Sequence, residues 1–146
     1  MTLTSLSSET VHASAVAIGD RAILIGGRSG QGKSDLALRL IDRGALLISD
    51  DYTFVRRVDG RLLASAPSTI EGKIEVRGLG ILELPTARDI AIALFVDLDR
   101  EPERLPVGED RLTLAGVALP VIGLSALEAS APIKVEAALK LIGLTF

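Results

Sequence analysis

The chain contains no cysteine and no tryptophan, and only one histidine, one tyrosine and three phenylalanines among its 146 residues. Without cysteine, disulfides, thiolate metal sites and a thiol nucleophile are excluded. Aromatics make up 3% of the chain and apolar residues 48%, so the core has to be built from Leu, Ile, Val and Ala. Positive charge is also scarce: 16 Lys and Arg stand against 19 Asp and Glu, for a net charge of −3. A nucleic-acid surface normally shows a basic excess, so no nucleic-acid partner is expected. No apolar run approaches the ~20 residues that a membrane-spanning helix requires, and no membrane partner is expected. The first ten residues carry neither Lys nor Arg nor an apolar stretch, unlike a secretory signal. A cytoplasmic protein is the simplest expectation. The length suffices for one domain over residues 1–146 with a sizeable core. Residues 1–10, rich in Ser and Thr, are expected to fray.

What is present is concentrated in Gly27-Arg28-Ser29-Gly30-Gln31-Gly32-Lys33-Ser34. The pattern G-x-x-x-x-G-K-[ST] is that of a phosphate-binding P-loop. Its glycines let successive backbone N–H groups turn inward as a nest for phosphate oxygens. Lys33 places a cation on the β- and γ-phosphates, and the Ser34 hydroxyl suits Mg²⁺. Lys33 is expected in a solvent-facing nest. The context agrees. Residues 22–25 read as a buried strand. Residues 34–43 read as an amphipathic helix, with Leu36, Ala37, Leu40 and Ile41 on one face and Asp35, Arg39, Asp42 and Arg43 on the other. Gly44 is a helix stop, and the helix N-terminus adds its own attraction for anions.

The rest of the chain reads mostly as strand. Residues 11–18 form one strand before a turn at Gly19-Asp20, and residues 45–49 form a buried strand ending at Asp50-Asp51. Residues 52–58 and 61–66 flank Asp59-Gly60, a strong hairpin signal. Residues 68–89 are mixed and punctuated by Gly72, Gly78 and Gly80, residues 89–98 hold an apolar strand, and residues 99–110 form an exposed charged loop. Residues 112–124 read as β. Ser130 is placed to cap a last helix over 132–142, with Gly143 at its end. The expectation is a strand-rich α/β P-loop domain.

A P-loop alone binds nucleotide. Phosphoryl transfer also needs an acid near the metal and a group that handles the nucleophile. Asp50 and Asp51, leaving a strand end, could divide that work, or could simply open a turn. Asp97, at the end of Ile92-Ala93-Leu94-Phe95-Val96, is a rival for the metal-side acid, and pattern alone does not separate them. His12 is either a structural hydrogen-bonder or part of the site. Glu75 and Arg77 share a face if their segment is extended, either as a surface pair or beside a ligand. Arg104 sits in the charged loop.

Taken together, these residues resemble the catalytic domain of the bacterial HPr kinase/phosphorylase, in the short form of alphaproteobacteria. Four blocks stand in order: Val11-His12, the P-loop, the strand from Arg43-Gly44 to Asp50-Asp51, and Glu75-Val76-Arg77-Gly78-Leu79-Gly80-Ile81. The last block, Glu-x-Arg-Gly-Leu-Gly-Ile, is the most specific. The resemblance implies a P-loop kinase fold of the phosphoenolpyruvate-carboxykinase-like type, rich in strands and poor in helices. It implies transfer of phosphate from ATP, with Mg²⁺, to a serine of HPr, a small phosphocarrier protein. It also implies reverse phosphorolysis in many members, and hexameric assembly.

By the same resemblance Lys33 is the P-loop lysine, Ser34 and Glu75 are the metal ligands, and Asp51 is the acid/base with Asp50 beside it. His12 is the active-site histidine, Arg104 a catalytic arginine, and Arg77 a further cation. Three departures stand out. Arg28 occupies a position where the family usually has an acid. By the resemblance, the chain is expected to start at the catalytic part, without the regulatory domain of longer members. Residues 125–130 lack the family's Arg-Pro-Gly-Arg loop, which implies weak phosphorolysis. Two other readings stay open: a P-loop kinase of a small hydroxylated metabolite, which leaves few residues for a lid, and a nucleotide-responsive regulator without turnover.

Overall fold

The structure, a computed structural model, describes residues 7–104 and 110–146. In chain order these form β1 (Ser8–Val11), β2 (Ala13–Ile18), β3 (Arg21–Gly26), α1 (Lys33–Asp42), β4 (Leu46–Ser49), β5 (Thr53–Val58), β6 (Arg61–Ser65), β7 (Lys73–Val76), β8 (Gly80–Glu83), β9 (Ile90–Asp97), β10 (Arg111–Leu114), β11 (Val117–Gly123) and α2 (Ala131–Ile142). Two helices against eleven strands make the strand-rich α/β architecture that the pattern predicts. No helix among the described residues is long and apolar enough to cross a membrane.

The most uniformly apolar strands lie at the centre. β3 and β9 run parallel and are almost wholly buried, with both faces covered. The main sheet follows the order β1-β5-β6-β9-β3-β2-β4, and the β10–β11 hairpin joins it through parallel pairing of β11 with β9. β7 and β8 form a separate antiparallel hairpin within the mixed segment 68–89. Alternation sends Val16, Ile23, Ile25 and Val96 to the helix side, where they meet Leu36, Ala37 and Leu40 of α1 and Val135 and Leu139 of α2. The opposite face carries Ala15, Ala17, Leu24 and Ile92 against Val55, Leu62 and Leu119. Each fully buried leucine in these layers contributes roughly 1.5–3 kcal/mol. Arg43, capping α1, also grips Glu136 of α2 through Nη2 at 2.8 Å, so the two helices are tied at their exposed edge.

Several expectations are corrected. Residues 11–18 are not one strand: the chain bends at His12, β1 pairs with β5, and β2 pairs with β3 and β4. Residues 112–124 fold as a hairpin because Ala115 and Gly116 both take positive φ, 46° and 82°. Ser130 stands at the N-cap of α2, but its side chain makes no cap hydrogen bond. The Asp59-Gly60 turn is as expected, with φ of 51° and 76° joining β5 to β6.

Candidate active site

Residues 27–34 connect β3 to α1 and form the floor of the site. Gly30 and Gly32 take φ of 86° and 97°, which L side chains rarely adopt. At Gly32 a Cβ would also come within 3.1 Å of the Ala126 Cβ, so the loop after β11 packs on the start of α1. Gly32 offers no side-chain cap. The first N–H groups of this ten-residue helix are therefore free of a capping oxygen and suited to an anion.

Lys33 is only 5% exposed. This corrects the expectation of a solvent-facing residue. Its Nζ donates to the carbonyls of Gly27 at 2.6 Å and Arg28 at 3.2 Å, closing the loop on itself. Ser29 and Gly30 form the exposed crest, and the Gln31 N–H closes a turn onto the Arg28 carbonyl at 3.2 Å.

Five polar or charged side chains are buried among the described residues: Ser14, Lys33, Ser49, Asp50 and Thr53. All belong to the P-loop or to the strands holding the turn between β4 and β5. Buried polar groups need partners, and these have them. Asp50 Oδ1 accepts from Ser34 Oγ at 2.5 Å and from Ser14 Oγ at 3.2 Å, and Asp50 Oδ2 accepts the Glu75 N–H at 3.0 Å. Asp50 is thus the carboxylate at the P-loop serine.

Asp97 lies elsewhere. It pairs with Gly26 across the β3–β9 ladder, and its carboxylate accepts the Asp99 N–H at 2.9 Å. The rivalry left open by the sequence is resolved in position: the acid touching Ser34 is Asp50.

Asp51 faces the other way. Its backbone is left-handed, φ 65°, and its side chain is half exposed. Oδ1 lies 2.8 Å from His12 Nε2 and 3.9 Å from Lys33 Nζ. The bend at His12 delivers the imidazole to this point, where it stacks on Tyr52 with ring centroids 5.0 Å apart. The Ser49 hydroxyl donates to the Tyr52 carbonyl and the Tyr52 N–H to the Asp50 carbonyl at 2.7 Å, so the turn is closed on its Tyr52 side.

The site therefore gathers His12, Lys33, Ser34, Asp50, Asp51 and the backbone of Glu75. The Glu75 side chain is exposed on β7, and Arg77 lies in the turn after that strand rather than within it. Arg104 is exposed, and no hydrogen bond or ion pair among the described residues links it to the Asp50–Asp51 turn. Two participants were missed in the sequence. Ser14 is a hydroxyl on the apolar face that Val16 and Ile18 share, a period-two signal that was available. Asp99 carried no local signal. It accepts the Arg28 N–H at 3.0 Å and Arg28 Nε at 3.2 Å. That N–H, helped by the guanidinium, holds the Asp99 carboxyl below its ordinary value.

No group of three or more His, Cys, Asp or Glu side chains among the described residues forms a metal cage. The donors at hand are hard oxygens, the Ser34 hydroxyl and the Asp50 carboxylate in mutual contact, with the backbone N–H of Glu75 on the other Asp50 oxygen. That set fits Mg²⁺, which is usually held by one or two carboxylates plus substrate phosphates.

The family model described as the HPr serine kinase C-terminal domain matches residues 4–142. The HPr kinase/phosphorylase of Clostridium tetani is 40% identical over 92 residues, covering 62% of this chain and 30% of that protein. That of Geobacillus thermodenitrificans is 35% identical over 123 residues, covering 75% and 40%. The chain spans well under half the length of these curated relatives. Among solved structures, the Hpr(Ser) kinase/phosphatase from Coxiella burnetii superposes with a TM-score of 0.76 at 27% identity, covering 90% of this chain and 94% of that one. The chain belongs to the HPr serine kinase C-terminal domain family.

Proposed function

We propose that this chain is an ATP-dependent serine kinase acting on an HPr-type phosphocarrier protein. The observation that carries the reading is the half-exposed Asp51 carboxylate, 2.8 Å from His12 and 3.9 Å from Lys33, at the rim of a P-loop. A general base must stand open to its substrate and beside the phosphoryl group it serves. Asp51 takes the proton of the incoming serine hydroxyl. The serine oxygen bonds to the γ-phosphorus as the bond to the β–γ bridging oxygen breaks, and ADP leaves. His12 orients the carboxylate.

Lys33 exchanges its loop carbonyls for phosphate oxygens and stabilises the charge on the transferring group. Ser34 and Asp50 would hold Mg²⁺, with Glu75 as a further ligand by the family resemblance, and the ion would neutralise phosphate charge. By the family resemblance, Arg77 and Arg104 are further cations for the reaction. A homo-oligomer, hexameric by family resemblance, and a cytoplasmic setting complete the proposal. The loop at 125–130 contributes Ala126 to the P-loop wall and no arginine, which supports weak phosphorolysis.

The test is incubation of purified protein with HPr, Mg²⁺ and labelled ATP, followed by mapping of the phosphorylated residue. Phosphoserine on HPr is expected. Transfer to no protein acceptor would overturn the proposal. Phospho-HPr given millimolar phosphate without nucleotide should release pyrophosphate far more slowly than the forward rate.

A further inference from the structure

We propose that Ser14 is a positioning residue that holds the backbone of Asp51 in the β4–β5 turn and so keeps Asp51 competent as a base; this rests on the acid–base reading above. Ser14 is fully buried on β2. Its single hydroxyl does two things at once. It donates its proton to Asp50 Oδ1 at 3.2 Å, and its lone pair accepts the Asp51 N–H at 2.9 Å. One atom therefore ties the side chain of the first acid to the backbone of the second.

The sheet register produces this contact. β2 and β4 pair Ala15 with Ser49, then Val16 with Leu47, so the ladder slips between them. Such an irregularity re-aims side chains. Continued from Ala15 opposite Ser49, the antiparallel run brings Ser14 opposite the start of the acidic turn. Asp51 holds a left-handed backbone, which Asp tolerates better than most residues and which bonds from its neighbours can fix. The Tyr52 N–H and the Ser49 hydroxyl secure the far flank of the turn. Ser14 secures the near flank, next to His12 and Lys33. Without the hydroxyl, Asp50 keeps its bonds to Ser34 Oγ and the Glu75 N–H, whereas the Asp51 N–H loses the bond to Ser14. Loss of the hydroxyl should therefore disturb the orientation of Asp51 and leave nucleotide capture intact.

The experiment compares wild type, Ser14→Ala, Ser14→Thr, Asp51→Asn and the double variant Ser14→Ala/Asp51→Asn in steady-state transfer to HPr. Binding of ATP and thermal unfolding are measured alongside. Ser14→Ala should lower kcat about tenfold, because a small misplacement of a reacting group is costly. Its KM and Kd for ATP should stay within about twofold, since the phosphate nest is untouched. Ser14→Thr, which keeps the hydroxyl, should recover most of the rate. In the Asp51→Asn background Ser14→Ala should cost nothing further, because the base it positions is gone. Wild-type kcat in Ser14→Ala overturns the proposal, as does an equal loss in both backgrounds or ATP affinity falling in step with kcat. The kcat–KM split and the double variant decide the question even if threonine is too large for the site. Asp51→Asn alone tests the parent reading: if it stays active, that reading fails whatever Ser14 does.

Discussion

The two walls of the cleft are built on opposite principles. The P-loop wall is dry and closed: Lys33 and Asp50 are 5% and 8% exposed, and each is bonded to protein. The acceptor wall is open. Asp51 is half exposed, Tyr52 and His12 stack at the surface, and Leu79 and Ile81 on the β7–β8 hairpin are 75% and 68% exposed. Asp50 and Asp51 are adjacent in the chain, yet one belongs to each wall. A nucleotide is always the same shape, so its side is prebuilt. On the proposed reading a protein acceptor would bring its own surface, which an uncovered side suits.

The largest expected effect follows from breaking the open wall at Asp51. Asp51→Asn should lower transfer about 10²–10⁴-fold while ATP binding persists, because the amide cannot accept the hydroxyl proton. Asp97→Asn, which only loosens the contact to the Asp99 N–H, should change the rate by less than about threefold. If the two variants exchange phenotypes in a kinase assay, the assignment of the acids is wrong.

Breaking the closed wall at Lys33 comes next. Lys33→Ala should cost about 10²–10³ in kcat through the lost charge on the transferring phosphate. It should also lower the melting temperature, since the buried Nζ holds the Gly27 and Arg28 carbonyls. A calorimetric scan matching wild type would contradict that second role.

Glu75 joins the walls, with its N–H on Asp50 and its side chain in solvent. Glu75→Gln should raise the Mg²⁺ concentration for half-maximal rate several-fold, roughly 3–10-fold, because an amide is a poorer ligand for a hard cation. An unchanged Mg²⁺ titration removes it from the metal site.

The smallest effect concerns the mouth of the loop. Asp99 occupies the Arg28 N–H and guanidinium, so Asp99→Asn should tighten binding of inorganic phosphate by about 2–5-fold, the scale of an exposed ion pair. The sign of the pH dependence follows from the depressed Asp99 carboxyl. The pairing is fully present above the ordinary value near 3.8 and is lost only as pH falls through the lower folded value. At neutral pH the latch stays closed, so the phosphate affinity of wild type and variant should differ by a constant factor. Isothermal titration across neutral pH checks this; a ratio that drifts with pH assigns the effect to another group.

Much of this protein was legible before folding was considered. The P-loop, the helix after it, the Asp59-Gly60 hairpin and the buried strand at 90–97 all rest on interactions within a few residues, which periodicity and turn chemistry report directly. The errors fell where distant segments decide. The bend at His12 exists because β1 and β2 choose different partners, and no pattern within 11–18 records that choice. The burial of Lys33 is the exception, a local one: its own loop folds back over it through the Gly27 and Arg28 carbonyls. The Arg28–Asp99 contact spans segments far apart in the chain and joined only by the pairing of β3 with β9.

By itself the sequence determined the chemistry on offer: a phosphate nest, hard oxygen donors, carboxylates, one imidazole and no thiol. It also determined the class of fold, because apolar alternation and glycine placement are local properties. Only the tertiary structure decided which of three aspartates meets Ser34, which one stays open beside His12, and that a serine from a neighbouring strand bonds to both. Those outcomes depend on strand order and on a one-residue slip between β2 and β4, and register between distant strands is settled by packing the whole sheet at once.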